Sequence, residues 1–97
     1  MEIELFDRKY LCEVKPREMT WGKGILIKLA DPAGMFVCGF EFAAHPEFPN
    51  YEHYQSKPFK DLEKLALSKL SAVQEEKLDE CIRHGATLCV ALNENET

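Results

Sequence analysis

The sequence predicts an α+β domain: a mainly antiparallel sheet of about five strands with two helices packed on one face, in chain order ββββααβ. Three observations predict it. A hairpin signature sits between two apolar runs near residue 31, two segments after residue 58 repeat apolar residues at helical spacing, and the chain returns to a short apolar run at 87–92. Ninety-seven residues, 45% of them hydrophobic and 30% charged, fit one domain over residues 1–97 with a single core and argue against general disorder.

The hairpin is the strongest local signal. Asp31-Pro32-Ala33-Gly34 has the residues a type I turn prefers at its first, second and fourth positions. Folding there sets Leu29 against Phe36, Ile27 against Cys38 and Ile25 against Phe40, six apolar residues on one face. The other face pairs Lys28 with Val37, Leu26 with Gly39 and Gly24 with Glu41. A reversal around Asp7-Arg8 similarly sets Leu5 against Tyr10, Ile3 against Cys12 and Met1 against Val14, with Glu2 facing Glu13 as a like-charge cost. Pro16 has no backbone donor and is expected to end the second strand. Trp21-Gly22-Lys23-Gly24 lacks the ending of a phosphate loop and reads as a flexible lead into the hairpin.

Phe59, Leu62, Leu65, Ala66 and Leu70 form the apolar stripe of a first helix. Ser71-Ala72-Val73-Gln74 has capping-box spacing, so a second helix is expected from Ser71, with Val73, Leu78, Cys81 and Ile82 facing the core and Gly85 closing it. Thr87–Leu92 is apolar on both sides and reads as an interior strand, followed by a polar tail over 93–97.

Between Leu29 and Ser56 there is no lysine or arginine, whereas Asp31, Glu41, Glu47 and Glu52 fall there. Phe42, Phe48, Tyr51, Tyr54 and Phe59 crowd its later part, and Pro46, Pro49 and Pro58 interrupt it. The phenylalanines are expected to cover the end of the sheet. Tyr51 and Tyr54, flanked by polar residues, are the amphipathic type enriched at interfaces. Glu41, Glu47, Tyr51, Glu52 and Tyr54 are therefore the candidate partner-binding residues.

The net charge is −5, carried by residues 29–97, which hold six basic and twelve acidic residues. Such a balance opposes direct nucleic-acid binding and favours a protein partner with a basic surface. No apolar run reaches the roughly 18 residues of a membrane span, and Met1 leads into Glu2-Ile3-Glu4 with no basic and apolar leader, so a soluble, cytoplasmic protein is expected. Cys12, Cys38, Cys81 and Cys89 sit among apolar residues, as reduced buried cysteines do.

Catalytic signatures are weak. Cys81, His84 and Cys89 lack the paired spacing of zinc knuckles, and His45, Glu47, Glu52 and His53 lie in a Pro-rich stretch that fixes no ligand geometry. The expected function is a small acidic, non-catalytic protein-binding module without cofactor. An inhibitor or adaptor occluding a basic surface is its sharper form, of the kind phages and mobile elements direct against nucleic-acid machinery. The competing expectation is a metal-binding or small hydrolytic protein using the 45–53 loop or the 81–89 segment. A homodimer through an exposed strand edge is a third.

Overall fold

The computed structural model describes residues 1–19 and 22–93, Met19 by its backbone alone. Its elements are β1 (Glu2–Leu5), β2 (Arg8–Met19), β3 (Gly22–Ala30), β4 (Phe36–Ala43), α1 (Tyr51–Gln55), α2 (Phe59–Ser71), α3 (Glu75–His84) and β5 (Thr87–Ala91). The fold is α+β, and the strands lie in one sheet in the order of the chain, β1-β2-β3-β4-β5. The first three pairings are antiparallel and the last, β4 with β5, is parallel. Parallel neighbours need a long crossover. Here three helices, one more than expected, supply it.

Alternation places one side of every strand against the helices. Tyr10, Cys12, Ile25, Ile27, Leu29, Cys38, Phe40 and Phe42 join Tyr54, Leu62, Ala66, Leu70, Leu78 and Cys81 in one core. Ile25, Ile27, Leu29 and Phe40 are fully buried, and each contributes about 1.5–3 kcal/mol by leaving water. The other side of the sheet is open, with Lys15, Leu26, Glu41 and Cys89 as one row across it.

Both hairpin registers differ from expectation by two residues. In the β3–β4 loop Asp31 Oδ1 accepts from the backbone N–H groups of Ala33 (3.0 Å) and Met35 (2.9 Å), while Asp31 N donates to Met35 O (2.9 Å). The turn hydrogen bond from Gly34 N to Asp31 O is present at 2.8 Å, and Gly34 has φ +93°, a conformation suited to glycine. This wider loop pairs Leu29 with Cys38, Ile27 with Phe40 and Ile25 with Phe42. A shift of two keeps each residue on its face. The irregularity at Leu29/Ala30, however, sets Phe36 beside Ala30 and leaves it 52% exposed, not in the core. At the first hairpin Phe6 and Asp7, both left-handed (φ 54° and 63°), form a two-residue turn, so Leu5 faces Arg8 and Ile3 faces Tyr10.

Pro16 does not end β2, which continues to Met19. Cys12 N donates to Met1 O on the β1 side, and Pro16 shares its parity in an unbroken register with β3. Its missing donor therefore faces outward beyond the end of β1, where a strand tolerates proline. Gly22-Lys23-Gly24 is the start of β3 rather than a loose lead; Trp21 lies outside the described residues.

α2 packs Leu62, Ala66 and Leu70 inward as expected. Ser71 ends that helix instead of capping the next: its hydroxyl donates to Ser68 O at 2.8 Å, and Gln74 precedes α3 without a side-chain cap. Gly85 closes α3 in the left-handed conformation, φ 59°. Arg8 ties α3 to the first hairpin through Asp79 (2.8 Å) and Glu75 (3.4 Å).

β5 is an edge strand, not an interior one. β3 occupies one side of β4, the crossover brings β5 to the other, and nothing among the described residues pairs beyond it. Asn93, expected in a polar tail, is 2% exposed; residues 94–97 lie outside the described residues.

Candidate functional site

β4 leaves the sheet at Ala43, and the chain turns through His45-Pro46-Glu47-Phe48 before α1. Asn93, just past β5, holds this turn: its Oδ1 accepts from His45 N at 2.9 Å and its Nδ2 donates to His45 O at 3.1 Å. Leu92 N also donates to Ala43 O at 2.8 Å. The end of β5 and the exit of β4 are thus fixed together.

A recess of about 290 Å³ results, lined by Glu41, His45, Glu47, Phe48, Cys89 and Ala91 among others. Glu41 projects from the open sheet face beside Cys89, with Arg17 Nη1 at 3.4 Å and a side chain 20% exposed. Glu47 is exposed, its backbone N donating to His45 Nδ1 at 3.4 Å. Two of the five expected partner-binding residues are therefore brought together at the edge of the sheet.

The other three are not part of that recess. Glu52 is exposed on the first turn of α1. Tyr51 is half-buried against the core. Tyr54 is 2% exposed and packs in the core, with Lys57 Nζ 5.8 Å from its ring, so it is not presented to a partner. A five-residue helix explains the difference: α1 turns the second tyrosine inward, while Gln55 Oε1 accepts from Lys23 N at 2.8 Å and anchors α1 on β3. Phe42 is in the core, and Phe48 and Phe59 are half-buried, as plugs at the end of a sheet would be.

Three thiols are buried and Cys89 is exposed, against the expectation that all four are buried. Cys81 Sγ donates toward Ala86 O (3.2 Å) and Gly39 O (3.5 Å). Burial and the neighbouring Cys81 thiol push Cys38 up to about 12, and burial also raises Cys12. Cys12 and Cys38 are therefore inert, protonated thiols. Cys89 shares the open face with Glu41, whereas Cys81 lies in the core on the helix side, so the two do not converge on one ion. Among the described residues no three His, Cys, Asp or Glu side chains form a group able to hold a metal. No described helix is long and apolar enough to cross a membrane.

A second surface was not legible in the sequence. Met1, Leu11 and Phe36 line a recess of about 490 Å³ on the open face with Glu13 and Lys28, and Leu11 and Phe36 are 39% and 52% exposed. Its signal lies in the loop geometry that displaces Phe36, which residue alternation alone does not reveal.

Comparison of the chain with protein-family models, curated proteins and solved structures found no significant match, so its functional reading rests on its own geometry.

Proposed function

We propose that this chain is a small, non-catalytic protein-binding module whose partner presents a basic surface, which it occludes in the manner of an inhibitor or adaptor. The observation that carries this reading is that Glu41, on β4 and paired with Arg17 at 3.4 Å, and the exposed Glu47 line one recess beside β5. Carboxylates so placed steer a basic partner and fix its orientation, an effect that is strongest at low salt. The net charge of −5 acts in the same direction at longer range. Buried, protonated thiols at Cys12 and Cys38 and the separation of Cys81 from Cys89 give the metal or hydrolytic alternative no support.

The test is affinity capture from cell extract with the parent protein and with Glu47→Lys, washed at stepped salt. The reading predicts a partner that the variant retains about threefold less or weaker, with a shallower salt dependence. Equal recovery of every captured protein by both baits at every salt step would contradict it.

A further inference from the structure

Among the described residues the free stretches along the sheet are the outer sides of β1 and β5, the part of β2 beyond β1 and the short part of β4 (36–38) beyond β5, and the first and third of these are blunted. The outer edge of β1 carries Glu2 and Glu4. The part of β2 beyond β1 carries Pro16, whose ring replaces the outward N–H. Prolines and charges at such positions prevent another chain from adding a strand. The five residues of β5, Thr87-Leu88-Cys89-Val90-Ala91, contain neither.

The backbone of β5 is also oriented for pairing. Ala86 O accepts from Gly39 N, Leu92 N donates to Ala43 O, and the register between them is unbroken. Even-numbered residues therefore bond to β4, and the N–H and C=O groups of Thr87, Cys89 and Ala91 point to the open edge. On the open-face side this edge meets the recess containing Glu41 and Glu47. On the helix side it meets a recess of about 410 Å³ lined by Phe42, Val73, Leu88 and Val90, with Lys69 and Lys77.

From this arrangement we infer that β5 receives an extended segment of the partner as a sixth strand, and that this segment alternates basic and apolar residues. The inference rests on the basic-partner reading above and deepens it. Main-chain hydrogen bonds to Cys89 hold the segment, and the two recesses select its alternate side chains. Basic residues meet the exposed Glu47 and share Glu41 with Arg17 on one side; apolar residues enter the groove on the other, where Lys69 and Lys77 repel a cation. A second copy of β5 fits less well, because its Thr87, Cys89 and Ala91 row carries no cation and would bring a second pair of carboxylates to the first.

The probe is a blocked octapeptide of alternating lysine and valine, titrated by fluorescence anisotropy at low salt. It should bind about tenfold or more tightly than either its isomer with lysines and valines in two blocks or an alternating glutamate–valine peptide, about 1.4 kcal/mol. Cys89→Pro removes a donor that β4 does not use, at an edge position where a strand tolerates proline, so the fold, checked by circular dichroism, is expected to persist while binding weakens about tenfold or more. Cys89→Lys, which leaves the backbone intact and repels the basic row, should weaken binding as well and serves if the proline variant misfolds. Glu47→Lys should weaken it and flatten its salt dependence. Unchanged binding by folded Cys89→Pro together with Cys89→Lys overturns strand addition; if Glu47→Lys still weakens binding, the basic-partner reading survives alone. Failure of the alternating peptide to bind the parent overturns the inference, and a parent dimer abolished by Cys89→Pro in light scattering overturns its choice of occupant.

Discussion

The side-chain amide of Asn93 satisfies both backbone groups of His45, accepting from its N–H at 2.9 Å and donating to its C=O at 3.1 Å. In a longer parallel ladder the backbone of two different β5 residues would meet these groups; here one side chain meets both. It holds the turn that carries Glu47 against the end of the sheet.

Removing this clamp takes two hydrogen bonds from a part-buried turn. Asn93→Ala is expected to cost about 1–3 kcal/mol in a urea melt. Asn93→Asp keeps one acceptor but sets a buried carboxylate oxygen against His45 O, so at neutral pH it should cost at least as much as the alanine variant. A fully stable Asn93→Ala protein would show that the turn is held by other contacts.

The β3–β4 register separates two apolar positions that strand alternation treats alike. Ile27→Ala, at a fully buried position, should lose about 2–5 kcal/mol in the same assay. Phe36→Ala, at a residue 52% exposed, should stay within about 0.5 kcal/mol of the parent. Equal losses at the two positions would restore the narrower turn and place Phe36 in the core.

Tyr54 and Glu52 lie two residues apart on α1 with opposite roles. Tyr54→Ala should cost about 3–5 kcal/mol because its ring is in the core, whereas Glu52→Ala, at an exposed residue, should change stability by less than about 0.5 kcal/mol. Thermal melts of the two variants check this, and a stable Tyr54→Ala protein would move the ring back to the surface.

Thiol chemistry provides a test by pH. Cys38 is raised from an ordinary value of 9.0 to about 12 by burial and by the Cys81 thiol. The unfolded chain therefore ionises first as pH rises. The stability linked to Cys38 is full below about pH 9 and declines from there toward pH 12, and Cys12, also raised by burial, contributes with the same sign. In native protein at neutral pH a thiol reagent should label Cys89 rapidly and the three buried cysteines only on unfolding. Rapid labelling of Cys38 or Cys81 would contradict this packing.

Elements with strong periodicity are readable from the chain, because burial imposes periodicity directly. The stripe Leu62-Ala66-Leu70 and the alternation Ile25-Ile27-Leu29 each have one physical cause. Features set by competition among polar contacts are not readable. The two bonds accepted by the Asp31 carboxylate widen a turn and expose Phe36; the crossover, rather than the composition of Thr87–Leu92, makes β5 an edge; and Asn93 is buried because His45 offers it two partners. Of the candidate site, Glu41 and Glu47 are legible as an acidic stretch without cations. Their meeting at β5 depends on a parallel pairing between strands that are distant in sequence. Tyr54 reads as an interface residue because polar neighbours along the chain do not reveal which way a one-turn helix points.

Amide hydrogen exchange at Cys89, followed by NMR with and without the alternating lysine–valine peptide, tests the central claim most directly. In the free protein the Cys89 amide should exchange much faster than those of Leu88 and Val90, which bond to β4, and saturation with peptide should slow it by about tenfold or more. A Cys89 amide already as protected as its neighbours, or one whose exchange is unchanged by saturating peptide, would contradict the assignment of β5 as the docking edge.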